Sequence, residues 1–531
     1  MTPPRSSDGR GRQARLWAQT ALRSFAAATN LLIPGRRFLI TGDIGAERAL
    51  ALVDLLDRFG ALVAPTAPDG LAPTPGPGPH VVIVAGADRP AGGPAPLLDR
   101  ARAAAPGAVL VDAPATGRAR VLDPDGRPLT GPHRPGNGPD YGPRRIDWAR
   151  TRMPVTARAV AGLAEDGLLA GRSIGLALVL EPKTAALALM LHEAGARVAV
   201  FGHADETRED VAEALRARGL TVFAQADATP EREEELARGF LAEGLEILLD
   251  DGSHLIRMAH DPVRAPRALD RMIGAAEETT SGLRPLRGFD LRVPVIASND
   301  ARSKTLFDNA YGTGQSCLLT VLDLLDPDGT GVDLAGRRVG VIGYGDVGTG
   351  FARFARACGA AVRVVDLDPV RELRARMDGH ETSGIAEAAA DCDWLVSATG
   401  ERSTIRVEDL EAMHPGGVIA VAGGVFGEVE VDEALARGWT IADDPDRRAV
   451  HVLAPPGASP EEGLLLMDRG GCVNCTAGEG NPIEIMDMSF GVQTAALREL
   501  LTRGTGLAPG LHALPADADA LVASRALDAL R

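Results

Sequence analysis

The chain has 531 residues, 45% hydrophobic and 24% charged, and 56 basic against 72 acidic side chains leave a formal net charge of −16. That length holds roughly three or four domains; the composition excludes a disordered, collagen-like or coiled-coil chain, and the acidic balance speaks against binding a nucleic-acid backbone. No apolar run reaches the ~18 residues of a membrane span. The basic N-terminus lacks the apolar core of a secretion signal, and five cysteines make no disulfide framework in such a length, so a reducing cytoplasm is the expected home.

In chain order, residues 1–36 read as a flexible lead-in with one short amphipathic helix near 16–32. Strands at 37–41, 80–85 and 108–112, with helices at 47–59 and 97–105 between them, make a small extra α/β domain over 37–122. Pro/Gly-rich stretches at 65–79 and 123–144 interrupt it, and the second reads as a linker. The turn at 41–45 is too short a glycine pattern to mark a nucleotide site. A helix over 146–163 opens the next domain. Strands at 173–180, 197–202, 221–224 and 247–251 then alternate with helices at 184–194, 209–218 and 230–243. A second βαβ series runs from 337 to about 452. The fold class is therefore α/β, with two doubly wound parallel-sheet domains and the extra N-terminal unit. Ligands are expected beyond the carboxyl ends of the strands.

Of the 56 basic residues only Lys183 and Lys304 are lysine. Where arginine is so favoured, a retained lysine points to a need for a compact ammonium that can lose its proton, which guanidinium cannot do.

An apolar strand at 338–342 runs into Gly343-Tyr344-Gly345-Asp346-Val347-Gly348, then a helix at 351–357, a strand at 362–365 and Asp366. Gly343 permits the tight turn, Gly345 admits a pyrophosphate to the backbone, and Gly348 allows close strand–helix contact. The helix N-terminus faces the phosphates. Asp366 accepts from the adenosine ribose hydroxyls and would repel a 2′-phosphate, which favours NAD over NADP, with Arg371 close by. Strands at 394–398 and 418–421 end at Thr399-Gly400 and Gly423-Gly424, positions expected beside the nicotinamide.

The segment Asn299-Asp300-Ala301-Arg302-Ser303-Lys304-Thr305-Leu306-Phe307-Asp308-Asn309 resembles S-adenosylhomocysteine hydrolase. So do Leu249-Asp250-Asp251-Gly252, Glu277-Glu278-Thr279-Thr280-Ser281-Gly282, the stretches 148–154, 343–350 and 482–493, and Asn474. The likeness covers about 146–514 and leaves the first ~145 residues unmatched. It implies a substrate domain at 145–314 completed by 482–515, an NAD-binding Rossmann domain at 315–481, and a shortened tail at 516–531. It also implies tightly held NAD that oxidises C3′ of a nucleoside, so that the C4′ proton becomes removable and a group at C5′ is eliminated and replaced by water. By similarity Lys304 and Asp308 work at the 3′-hydroxyl, Glu278 binds the ribose diol, and Asp251 transfers protons near C4′ and C5′. Burial near NAD is expected to lower the pKa of Lys304. Thr279, Thr280, Ser281, Asn309 and Asn474 match cofactor-contacting positions.

The departures from the family cluster. Its histidine, threonine and glutamate after the first strand are here Val179, Glu181 and Lys183, followed by Thr184. An aspartate has become His254, the histidine of the late loop is Asn481 near Met486, and the glycine-histidine-phenylalanine motif reads Gly423-Gly424-Val425-Phe426. The tail lacks the family's lysine and tyrosine, which complete the neighbouring subunit's NAD site. The sugar-oxidising apparatus is intact while the C5′ proton relay and the base edge are rewritten. A glutamate that accepted from an exocyclic amine is now a lysine that donates, which suits a carbonyl or an acid. The substrate-facing set is thus Glu181, Lys183, Thr184, His254, Asn481 and Met486, unless Lys183 simply pairs with Glu181 or Asp251. His203 and His254 are candidates for replacement acid–base chemistry or plain loop histidines. Cys472 and Cys475 have no second ligand pair, read as structural, and leave no metal site expected.

Three readings follow: an NAD-dependent enzyme of this family acting on a nucleoside (thio)ether other than ordinary S-adenosylhomocysteine, a catalytically silent NAD-binding regulator, and a nucleoside 3′-dehydrogenase or epimerase. The expected partners are a small nucleoside and further copies of the chain, with no nucleic acid and no membrane.

Overall fold

The computed structural model describes residues 9–42, 44–64, 78–85, 96–132 and 137–530. The chain is α/β and divides into two compact units, Met1–Pro135 with Asn309–Gly478 and Gly136–Asp308 with Glu479–Arg531. Among the described residues no helix is long and apolar enough to cross a membrane.

The first unit carries two sheets. In the smaller, strands Leu62–Ala64, Arg37–Gly42, Val81–Ala85 and Val109–Ala113 lie parallel in that order, and Arg120–Leu122 and Pro128–Leu129 continue it antiparallel. The last strand falls inside the stretch read as a linker, so part of that stretch belongs to the sheet. The Pro/Gly-rich residues 65–77 and Asp43 lie outside the described residues.

Nor is the segment before this sheet a loose lead-in. A helix spans Gly9–Thr29, and its Trp17, Leu22 and Phe25 are buried. Arg23 is only 1% exposed. Its guanidinium donates to Asp323 Oδ1 at 2.9 Å, Asp326 Oδ2 at 3.2 Å and the Leu322 carbonyl at 2.7 Å. These acceptors belong to the helix Gly314–Leu325 and the turn after it. A guanidinium is buried only where its fork of donors is met in this way. Trp17 Nε1 donates to the Pro114 carbonyl at 2.7 Å, and Phe59 stacks on Phe354 at 5.0 Å. The extra sheet is therefore joined to the second sheet of this unit through packed helices.

That second sheet has the order Glu381–Thr382, Ala361–Val365, Arg338–Ile342, Trp394–Ser397, Val418–Val421, Leu464–Met467, Val450–Ala454 and Thr440–Asp443. The first six are parallel and the last two antiparallel. Strand order reverses between Arg338–Ile342 and Trp394–Ser397, the position where an open α/β sheet leaves a crevice. The helix after the glycines begins at Asp346, five residues earlier than periodicity indicates, because Gly348 and Gly350 hide its first apolar turn.

The second unit holds seven parallel strands in the order Gly510–Ala513, Pro294–Ala297, Gly274–Glu277, Ile247–Asp250, Ser173–Ala177, Arg197–Phe201 and Thr221–Phe223. Its central strands are buried end to end, as sheets covered on both faces require. The expected helix over 146–163 is two, Tyr141–Arg150 and Pro154–Glu165, because Pro154 opens a new first turn. The strands at 274–277 and 294–297 were not legible as separate runs. Order reverses between Ser173–Ala177 and Ile247–Asp250, so the turns 178–183 and 250–254 flank this unit's crevice.

Candidate active site

The residues expected at the sugar come together in the second unit. Lys304, 3% exposed, places Nζ 2.8 Å from Asp308 Oδ2 and donates to Asn299 Oδ1 at 3.3 Å. Asn481 Nδ2 donates to the other oxygen of Asp308 at 2.8 Å. Glu278 accepts from the Ser489 hydroxyl at 2.5 Å and from Gln493 Nε2 at 3.2 Å. Burial pushes Glu278 up to about 7 against the pull of Lys304. Burial also raises Asp251, again against Lys304.

Lys304 itself departs from expectation. Burial pulls its ammonium down, but the charges of Asp308, Glu278 and Asp251 outweigh that and hold it above its ordinary value. The three carboxylates come from three segments of the chain, and their sum was not legible in the sequence. The lysine is therefore protonated at rest, with Asp308 as its direct partner.

Among the residues expected at the base, Glu181 caps the helix Pro182–Glu193 by accepting from the Lys183 amide at 3.0 Å. Lys183, 1% exposed, places Nζ 2.7 Å from Glu181 Oε2 and donates to the Glu479 carbonyl at 2.6 Å. The pairing with Glu181 is thus present; none with Asp251 is among the ion pairs of the described residues. The Thr184 hydroxyl donates to the Val179 carbonyl at 2.7 Å and closes the turn. The Glu479 carboxylate accepts from Arg145 Nε at 3.0 Å and Arg208 at 3.4 Å, with a second contact to Arg145. Burial raises Glu479, but these arginines prevail and hold it at about 2. Met486 is half-buried on the helix Ile483–Arg503.

Glu277, fully buried one residue before Glu278, ties the turn after Asp251 to the segment that carries Glu278. It accepts from the amides of Gly252, Ser253 and Thr279 and from the Thr279 hydroxyl. Thr279 in turn caps the helix Thr280–Leu286, which begins with Thr280 and Ser281. Glu277, Glu479, Arg145 and Glu206 are the residues that sequence reasoning missed. Only Glu277 carried a signal, as the first acid of the Glu-Glu-Thr-Thr run. Beside Asp251, Glu206 is desolvated and raised to about 8.

In the first unit the glycine turn fits a dinucleotide. A Cβ on Gly348 would stand 1.9 Å from the Gly343 carbonyl oxygen, and one on Gly343, at φ +94°, would meet Thr399 at 2.9 Å. At Gly345 a Cβ would find nothing nearer than the Arg371 side chain at 3.8 Å, so the backbone there is open to a bulky anion. Asp346 and Val347 open the helix Asp346–Ala357. Asp366 Oδ2 accepts from the Tyr344 amide at 2.6 Å, which fixes the carboxylate at the end of its strand. Thr399 and Gly400 lie across the order reversal, and the Thr399 hydroxyl bonds Thr404 at 2.6 Å. Gly423 packs on Glu428, where a Cβ would stand 2.1 Å from Oε1. Asn474 donates to Ser316 Oγ at 3.0 Å and accepts from the thiols of Cys472 at 3.2 Å and Cys475 at 3.6 Å. Asn309 is the first residue of this unit's second segment.

The family described as S-adenosyl-L-homocysteine hydrolase, NAD binding domain, matches residues 309–477. The S-inosyl-L-homocysteine hydrolase of Methanopyrus kandleri is 38% identical over 393 residues, 72% of this chain and 89% of that protein. The chain belongs to the S-adenosylhomocysteine hydrolase family. Within this NAD-dependent hydrolase family, the adenosylhomocysteinase of Thermotoga maritima is 35% identical over 396 residues, 73% of this chain and 95% of that protein. The S-inosyl-L-homocysteine hydrolase of Methanothermobacter thermautotrophicus is 36% identical over 396 residues, 73% and 92% of the two chains. NAD is the cofactor of the family to which the glycine turn belongs.

Proposed function

We propose that the chain is an NAD-dependent hydrolase of a nucleoside thioether whose base is a 6-oxopurine, of the S-inosylhomocysteine type. The observation that carries this reading is the buried Glu181–Lys183 pair. A 6-oxopurine offers an acceptor at O6 beside a donor at N1–H, and adenine offers the opposite pair. An ammonium beside a carboxylate supplies the donor and acceptor that the 6-oxopurine needs. A hydrogen bond to a charged group is worth about 1.5–3 kcal/mol, enough to set the preference. Two of the relatives carry the name S-inosyl-L-homocysteine hydrolase, which agrees with it.

Gly343, Gly345 and Gly348 with the helix from Asp346 would hold the pyrophosphate of NAD, and Asp366 the ribose. Bound NAD supplies a hydride acceptor for the alcohol carbon C3′. The ammonium of Lys304 is already aligned on Asp308. A proton shift along that contact frees the amine to accept the hydrogen of the 3′-hydroxyl. Glu278, fixed by Ser489 and Gln493, orients the ribose diol. Asp251, raised by burial, is suited to take and return the C4′ proton.

The test is to add S-inosyl- and S-adenosyl-L-homocysteine separately to the purified holoenzyme and follow nicotinamide reduction in the near ultraviolet together with released thiol. The expected result is transient reduction and thiol release with the inosyl compound and a much lower kcat/KM with the adenosyl one. Persistent reduction without thiol would instead show a dehydrogenase, and no reduction with either compound would overturn the reading.

A further inference from the structure

Elimination at C5′ requires one group that Lys304, Asp308, Glu278 and Asp251 do not supply. A thiolate leaving C5′ needs a proton, and the turn after the first strand of the second unit carries Val179 where the family has its proton carrier. Beside that turn stands a line of three side chains from three neighbouring elements. Glu233, on the helix Pro230–Leu241, has Oε1 2.9 Å from His203 Nδ1. His203 Nε2 is 3.2 Å from His254 Nδ1, with the rings crossed at 81°. His254 opens the helix His254–Ala259 directly after Asp251-Gly252-Ser253. Its Nε2 is folded back over Gly252, 3.6 Å from where a Cβ on that glycine would stand.

We infer that His254, backed by His203 and Glu233, is the acid–base group for the C5′ position, in place of the histidine absent at Val179. The inference rests on the hydrolase reading given above. Glu233 is anchored by the Ala204 amide at 2.8 Å, so it fixes the tautomer of His203. The charged groups facing His203 are Glu233, Glu206 and Asp250, and those facing His254 are His203, Arg257 and Glu233. Burial lowers His203, but Glu233, Glu206 and Asp250 prevail and raise it to about 9. Desolvation and the His203 charge lower His254 to about 4. The resting pair is therefore a His203 imidazolium donating to the Nδ1 lone pair of a neutral His254, whose Nε2 carries its hydrogen.

The step then balances without placing a charge on His254. The C4′ electron pair forms the C4′=C5′ bond, the C5′–S bond breaks, and its pair leaves on sulfur. Sulfur takes the Nε2 proton of His254 while the His203 Nε2 proton crosses to His254 Nδ1. Both rings are now neutral, and His254 Nε2 presents a lone pair. In the second half the oxygen of water bonds to C5′, the double-bond pair returns to C4′ and is protonated there by Asp251. The water's proton goes to His254 Nε2, and the Nδ1 proton returns to His203. A histidine serving only to cap a loop would need Glu233 and His203 alone; the second ring adds a further nitrogen, Nε2, over the Gly252 turn next to Asp251.

The test uses the holoenzyme with S-inosyl-L-homocysteine and, separately, with inosine in deuterated water. His254→Asn should release thiol at least about 100-fold more slowly, the usual scale of a lost general acid. It should still reduce its nicotinamide and exchange the C4′ hydrogen of inosine as the unaltered chain does. His203→Gln, a positioning change, should slow thiol release less and abolish its alkaline limb. Thiol release by His254→Asn at the unaltered rate overturns the relay. If the unaltered chain shows no nicotinamide reduction, the hydrolase reading fails, and histidine-ring NMR still decides the relay. His254→Asn must shift the nitrogen resonances of His203, and unchanged resonances refute the contact.

Discussion

The two lysines of this chain are both buried in the second unit, and each has a carboxylate within 2.8 Å. Their settings differ in what surrounds the pair. Lys304 lies among Asp308, Glu278 and Asp251, an excess of acids that retains its proton, while burial pushes Glu278 up to about 7. Lys183 is one link in a balanced chain in which Glu181, Glu479 and Asp210 are matched by Lys183, Arg145 and Arg208. An excess of one sign gives groups poised to exchange protons, and a balanced network gives fixed donors and acceptors. On the proposed reading, one lysine serves the chemistry and the other the recognition of the base.

The sharpest break of this contrast is Lys304→Arg. Guanidinium keeps charge and hydrogen bonds but cannot give up its proton, so nicotinamide reduction by substrate should fall about 10³-fold while bound NAD, measured after denaturation, stays stoichiometric. Lys183→Met acts on the other property. The kcat/KM ratio of inosyl to adenosyl substrate should fall roughly 10- to 100-fold, the value of a hydrogen bond from a charged donor, with reduction of the sugar otherwise retained. A pH series separates the ends without mutation. Glu278 is raised to about 7, so its carboxylate is lost as pH falls through that value. Nucleoside affinity should weaken up to about tenfold per pH unit below it. Glu479 is held at about 2, so its pairing with Arg145 and Arg208 should persist over the same range. The smallest effect is expected of Asn481→Ala, which removes one donor to Asp308. A roughly three- to tenfold loss in kcat fits a single hydrogen bond, and an unchanged kcat would take Asn481 out of the sugar end.

The sugar end was legible because Lys304 and Asp308 lie one helical turn apart in a contiguous motif, and Glu278 in another. The glycine turn was legible for the same reason. The base end was legible only as a change of residue type at Lys183, because its partner network is assembled from afar. Arg145 and Glu479 are 334 residues apart, and no local pattern marks either. The raised rather than lowered Lys304 had the same origin, a sum over carboxylates on separate segments. The helix near 16–32 was legible but its extent and burial were not, because arginines and small residues dominate Gly9–Thr29, a composition that reads as solvated until Arg23 is seen in its cage of acceptors.

That helix bears on how the protein can be dissected. It covers Leu322 and Asp326 on the face of the segment that also carries Ser316, the anchor of Asn474. A truncation that trims away residues 1–135 would strand Asp323 and Asp326 without their guanidinium and uncover an apolar helix face. The leading segment therefore behaves as an internal buttress of the dinucleotide-binding half and is not a detachable appendage. Its excision should cost solubility and cofactor retention together.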